Sequence, residues 1–323
     1  MMEQRALGRT GLFLSRLCLG CGNFGGIGSA PAFFGAGESE AEAFELMDAA
    51  IALGINLFDT ADAYGGGRSE TWIGRWRAAR GTPVLLSTKV FHSVEGDPDD
   101  RGLAADRILR QIEGSLARLG VERVDMYLVH APDPETPLPE TLRALDGLVR
   151  SGKVGAIGAS NVEPNWIEEA LAIAERERLT PIGWVQNSYS LLDRDAERAV
   201  LPLCVERGLG FTPFGPLSGG WLTGKYRRDE PRPEGSRMTL RPGPYEHLDR
   251  EEVYRGLDAF AAAAAERGVD TATPAHAWVL SHPDVTAVIL GPRSPRHLEP
   301  PHAALELELT PGERDELASL FPA

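Results

Sequence analysis

Short apolar runs alternate with longer helix-period stretches from one end of the chain to the other. The runs are Arg16–Gly20, Leu57–Thr60, Val84–Lys89, Met126–His130, Gly155–Ser160, Trp184–Gln186, Gly210–Phe214 and Ala287–Leu290. They are continuous rather than alternating with period two, which predicts strands buried on both faces. Between them, helical periodicity covers Glu40–Leu53, Asp106–Arg118, Pro139–Ser151, Pro164–Glu177 and Ala196–Gly208. Gly54, Gly120, Gly152 and Gly208 stand near or just past the ends of such stretches, where a left-handed residue closes a helix. Eight strands with helices in most gaps predict an α/β fold, a single (β/α)8 TIM barrel; a doubly wound open sheet is the alternative.

Two stretches depart from a bare barrel. ALGRTGLFLS reads as an N-terminal β-hairpin turning at Arg9–Gly11, suited to covering the barrel bottom. Arg227–His247 is rich in Pro and Arg and has no periodicity, so it is either a lid among long C-terminal-face loops or a disordered insertion. With no internal repeat or low-complexity linker, residues 1–323 are expected to form one barrel domain.

Composition narrows the partners. A net charge of −14 argues against nucleic acid, which needs an extended basic surface. No membrane-length apolar stretch and no apolar leader core are read, so a cytoplasmic protein is expected. Three cysteines are too few for a disulfide framework, and Cys18 and Cys21 read as buried small side chains rather than a redox or metal pair. No metal site is read, and the oligomeric state is left open.

In a barrel, catalytic side chains sit at the C-terminal ends of different strands. Those ends carry Asp59, with Tyr64 shortly after it, Lys89 and His130. A charged residue finishing an apolar strand is costly to bury unless paired, which predicts a Lys89–Asp59 ion pair between neighbouring strands. The set suits carbonyl reduction. Hydride transfer leaves an alkoxide that must be protonated, and a tyrosine of reference pKa about 10 is a poor acid near neutrality. An ammonium beside it is expected to lower that value, with His130 donating to the carbonyl and Asp59 holding Lys89 charged. Taken singly, each residue reads more readily as part of a structural ion pair or as a satisfied polar residue, and Lys89 alone also as the Schiff-base lysine of a barrel aldolase.

The blocks LGRTGLFLSRLCLGCGNF, FDTADAY, STK, LVH, GASN, VQNSYS and FGPLSGGWLTGKY, in this order, resemble the aldo-keto reductase family along nearly the whole chain. The details are similar to its bacterial and potassium-channel β-subunit-like branches. The resemblance implies an oxidoreductase that reduces an aldehyde or ketone with NAD(P)H bound outside a Rossmann fold. It places Gly22, Asn23 and Phe24 beside the cofactor, and Ser160, Asn161 and Gln186 on the nicotinamide carboxamide. Tyr189 is to stack on the nicotinamide ring. Gly215, Pro216, Leu217, Gly219, Gly220 and Leu222 are to close on the pyrophosphate, with Lys225 adding charge. Gly291, Arg293, Ser294 and His297 are to grip the adenosine ribose, and Arg293 favours NADPH, with NADH as the alternative. The resemblance also keeps a second reading open, a redox-sensing NADPH-binding regulatory module.

Two departures stand out. Glu299 is followed by Pro300 and Pro301 where the family has an acidic residue and Asn on the adenine. Ala131 follows His130 where many relatives have tryptophan, which widens the expected pocket. Phe24, Tyr64, Phe91, Ala131 and Trp221 are its candidate walls, and core packing is the equal alternative for the two phenylalanines.

Overall fold

The computed structural model describes residues 2–322, and counts below refer to those residues. Gln4–Ala6 (β1) and Phe13–Ser15 (β2) pair antiparallel as the predicted hairpin. Eight parallel strands follow: Leu17–Gly20 (β3), Leu57–Asp59 (β4), Leu85–Val90 (β5), Val124–Val129 (β6), Val154–Ser160 (β7), Trp184–Gln186 (β8), Gly210–Phe211 (β9) and Val288–Leu290 (β10). Their order is β10-β3-β4-β5-β6-β7-β8-β9. The two ends of the sheet also meet. Thr286 N donates to Phe211 O at 2.9 Å, Ile289 N donates to Pro213 O at 2.8 Å, and Phe214 bridges Ile289 in parallel. The sheet therefore curls into a (β/α)8 barrel rather than an open sheet. β9 is shorter than the apolar run predicts, because Pro213 has no N–H to give its neighbour.

Helices fill the gaps: Glu40–Ala52 (α1), Arg68–Arg80 (α2), Ala105–Leu119 (α3), Leu138–Arg150 (α4), Pro164–Glu177 (α5) and Val200–Arg207 (α6). α6 begins later than its periodicity suggests, since Asp195–Glu197 form a separate 3-10 turn. After β9 come Arg237–Leu240 (α7), Glu251–Glu266 (α8) and Ala272–Leu280 (α9), and after β10 come Glu299–Ala303 (α10) and Pro311–Ser319 (α11). Ser39 caps α1 through a reciprocal pair with Glu42. Pro300 and Pro301 lie in the first turn of α10, where a missing N–H costs nothing.

Both faces of the sheet are dry, as the continuous apolar runs require. Cys18, Leu57, Met126, Leu128, Ala156, Trp184 and Ile289 fill the barrel, while Phe58, Leu86, Tyr127, Val129, Ile157 and Val185 belong to the core packed under the helices. Cys18 and Cys21 fall into these two different clusters, and burial pushes both thiols well up, away from thiolate chemistry. Leu7 and Leu14 of the hairpin join the interior cluster. A Cβ on Gly8 would stand 2.5 Å from Gly183 O and 2.6 Å from Gly210 N, so the turn is pressed against the starts of β8 and β9. The hairpin plugs the end opposite the strand termini that carry the polar residues. Among the described residues no helix is long and apolar enough to cross a membrane.

Candidate active site

Strand alternation aims the polar side chains into the barrel mouth. Lys89 lies two residues beyond Ser87, His130 two beyond Leu128, and Gln186 two beyond Trp184, so all share the inward face. The register then sets neighbours: Asp59 is opposite Ser87, and Ser160 is opposite Gln186.

Lys89 Nζ meets Asp59 Oδ2 at 2.6 Å and donates to Thr60 O at 2.8 Å. Asp59 Oδ1 accepts from Ser87 Oγ at 2.9 Å and from Gln186 Nε2 at 3.1 Å, so neither carboxylate oxygen is left bare in the dry interior. The Lys89 ammonium stands 5.1 Å from the centroid of the Tyr64 ring, whose edge faces His130 at 5.5 Å. His92 packs edge-on against the other side of His130 at 4.8 Å. Asn161, at φ 57°, donates to His130 O at 2.9 Å and to Ser160 Oγ at 3.1 Å, and Ser160 Oγ donates to Gln186 O at 2.7 Å. Asp59, Tyr64, Lys89, His130, Ser160, Asn161 and Gln186 thus form one connected constellation.

Its electrostatics differ from the sequence expectation in one respect. Burial pushes the Tyr64 phenol above its ordinary 10, outweighing the pull of Lys89, so the expected lowering does not occur. Burial opposes the Lys89 ammonium, but Asp59 and Tyr64 together hold it above its usual range. Burial, with Lys89 and His92 close by, takes His130 well below 6.5. The site at neutral pH therefore holds a protonated phenol, an ammonium and a neutral imidazole whose buried Nδ1 has no partner.

Beside the mouth, the chain from Gly215 onward turns back on itself, with Gly215, Gly219 and Gly220 at φ 71°, 65° and 96°. The φ of 96° at Gly220 favours glycine, and a Cβ there would lie 2.4 Å from Lys225 Nζ and displace that side chain. Gly220 and Leu222 already donate to Leu217 O, which removes them from the expected phosphate donors. The segment Arg227–His247 is neither extended nor detached. It carries α7 and crosses the top, where Arg237 Nη2 reaches Asn23 Oδ1 at 2.5 Å and Gly235 O accepts from Arg293 Nη1 at 2.8 Å. Under it, Asn23, Ile27, Glu38, Lys225, Arg237 and Arg293 surround a cavity of about 40 Å³. Three cations beside a glycine-containing turn, and an acceptor without a partner (Glu38 Oε2), suit the charge of a dinucleotide's pyrophosphate and the donors of its ribose.

Several expected residues are placed otherwise. Tyr189 is fully buried in the outer core, its ring 5.0 Å from Trp278 and its hydroxyl on Glu197 and Arg314, so it does not reach the mouth. Trp221 is likewise buried among Tyr226 and Tyr254, and Phe24 is buried in the same outer core. Phe91 stays half-buried against His92, and Ala131 is half-buried behind His130. Arg293 is already engaged, its Nε on Glu38 Oε1 at 2.8 Å, and His297 Nδ1 accepts from Arg293 N at 3.1 Å. Gly291 is exposed, and a Cβ there would meet nothing. Four residues escaped the sequence reading: Ser87, His92, Phe214 and Glu38. Ser87 and Phe214 were legible by parity, two positions before Lys89 and two after Thr212. Phe214 packs against the barrel interior at the seam.

The sequence model of the Aldo/keto reductase family matches residues 16–321. The chain is 39% identical to "Uncharacterized oxidoreductase YrpG" of Bacillus subtilis, over 99% of this chain and 96% of that protein. It is 35% identical to "Probable voltage-gated potassium channel subunit beta" of rice (Oryza sativa), over 90% and 87%. It is 31% identical to "NADH-specific methylglyoxal reductase" of Escherichia coli, over 96% and 95%.

Proposed function

We propose, because the chain belongs to the aldo/keto reductase family, that this NAD(P)H-dependent oxidoreductase reduces an aldehyde or ketone to the alcohol with Tyr64 as proton donor. The observation that carries this reading is the Asp59–Lys89 pair at 2.6 Å beneath the Tyr64 ring, with neutral His130 beside it. When bound, the nicotinamide supplies the hydride. His130 donates an N–H to the carbonyl oxygen and orients it. Tyr64 gives its phenolic proton to that oxygen as negative charge builds there. Lys89 compensates the phenolate so formed, and Asp59, itself fixed by Ser87 and Gln186, keeps Lys89 charged and aimed. Ser160 and Asn161 would hold the carboxamide, and Phe214 replaces Tyr189 as the aromatic wall. The whole chain is read as one catalytic barrel.

The aldolase alternative needs a neutral lysine amine, whereas Lys89 is paired and held charged. The relative named as a potassium channel β subunit supports a partner-binding role as the second reading; slow turnover with a co-purifying protein would favour it. The test is Tyr64→Phe, which is expected to lower the rate of NAD(P)H-dependent aldehyde reduction by roughly 10²- to 10⁴-fold. Nucleotide affinity, measured by titration calorimetry, stays unchanged. A variant that kept most of its activity would remove Tyr64 from the acid role.

A further inference from the structure

The adenosine end of the nucleotide site holds a carboxylate that the reaction does not use. Glu38 immediately precedes Ser39, the cap of α1, and its backbone is tied on both sides: Glu38 N donates to Asn23 O at 2.9 Å, and Gly25 N donates to Glu38 O at 3.0 Å. Its side chain is only 3% exposed. One oxygen, Oε1, accepts from Arg293 Nε at 2.8 Å; the other, Oε2, is buried with no partner. A buried carboxylate with an empty acceptor position in a polar cavity is costly unless a ligand completes it, and burial raises its pKa even with Arg293 beside it.

Charge bookkeeping around the cavity points the same way. Lys225 and Arg237 have no carboxylate partner among the described residues, whereas Arg293 is neutralised by Glu38. Two free cations match the two charges of a pyrophosphate. A ribose 2′-phosphate adds about −1.5 to −2 more and would meet an arginine already paired, beside the buried carboxylate that pairs it. A ribose 2′-hydroxyl, in contrast, is a donor, and an acidic side chain accepting from it is the physical basis of NAD selectivity in other dinucleotide sites.

We infer that Glu38 makes this site prefer NADH to NADPH, accepting from the ribose 2′-hydroxyl through Oε2 while occupying Arg293, the side chain that would otherwise take a 2′-phosphate. The inference rests on the NAD(P)H-dependent reading above and reverses the preference that Arg293 alone suggests. Glu38 is a specificity-determining residue, remote from the reacting atoms.

The test is titration calorimetry of the intact protein, wild type and Glu38→Gln, with NADH and NADPH, and with the fragments 5′-AMP and 2′,5′-ADP. Wild type is expected to bind NADH at least about ten-fold more tightly than NADPH, and 5′-AMP more tightly than 2′,5′-ADP. Glu38→Gln, isosteric but uncharged, is expected to shrink that ratio by about ten-fold or more, mainly by tightening NADPH. Tighter binding of NADPH and 2′,5′-ADP by wild type overturns the inference, as does an unchanged ratio in a folded Glu38→Gln protein. Should that variant not fold, the wild-type fragment comparison decides alone. Wild type that bound neither dinucleotide would remove the reductase reading itself.

Discussion

Tyr64 experiences two opposed influences, and their balance has a kinetic consequence. Burial raises the phenol above 10 while Lys89 pulls it back, so the hydroxyl keeps its proton throughout the neutral range. Reduction consumes that proton and needs the phenol; oxidation of an alcohol needs the phenolate. The reduction rate is therefore expected to hold as pH rises toward 10, and the oxidation rate to climb over the same interval. Initial rates in both directions check this, and a reduction rate that dropped just above neutrality would contradict it. Asp59 and Lys89 were legible in the sequence because two charged residues ending neighbouring apolar strands must pair. Tyr189 was misread for a reason equally simple. It lies three residues beyond inward-facing Gln186, so alternation turns it outward. Glu38 carried no such signal, since it belongs to no strand and its partner Arg293 is 255 residues away.

At the scale of elements, strands and helices followed the apolar pattern closely, and the departures occur where proline or a short turn intervenes. Pro213 ends β9 early, and the 3-10 turn Asp195–Glu197 delays α6. The segment Arg227–His247 could not be assigned from periodicity because its order comes from long-range contacts, Arg237 to Asn23 and Gly235 to Arg293. The turn before it is constrained differently. Gly220 combines φ 96° with Lys225 Nζ 2.4 Å from any added Cβ. Gly220→Ala is expected to cost about 1–3 kcal/mol through backbone strain, and to weaken nucleotide binding by displacing Lys225. Denaturant unfolding and nucleotide titration of the same variant read the two effects separately. Loss of stability without loss of affinity would place Lys225 outside the nucleotide site.

The whole molecule separates what stabilises it from what reacts. The hairpin plug lies at one end of the barrel and the polar constellation at the other. Leu7, fully buried in the interior cluster, is the plug's anchor. Leu7→Ala is expected to lower unfolding free energy by about 2–5 kcal/mol while the folded fraction keeps its kcat and KM. Urea unfolding alongside steady-state kinetics checks this, and a changed KM at full folding would show that the two ends are coupled.

The cations gathered beside the segment Arg227–His247 also shape the protein's surroundings. The chain carries a net charge of −14, yet Lys225 and Arg237 converge at one spot on it without carboxylate partners among the described residues. An anionic nucleotide thus diffuses inward against the distant field and is captured only in the last stretch, within about 8 Å at physiological salt. Added electrolyte screens the far repulsion before the near attraction. Moderate ionic strength should therefore quicken the association of nucleotide with this barrel, the opposite of the behaviour of a protein that steers its ligand from afar.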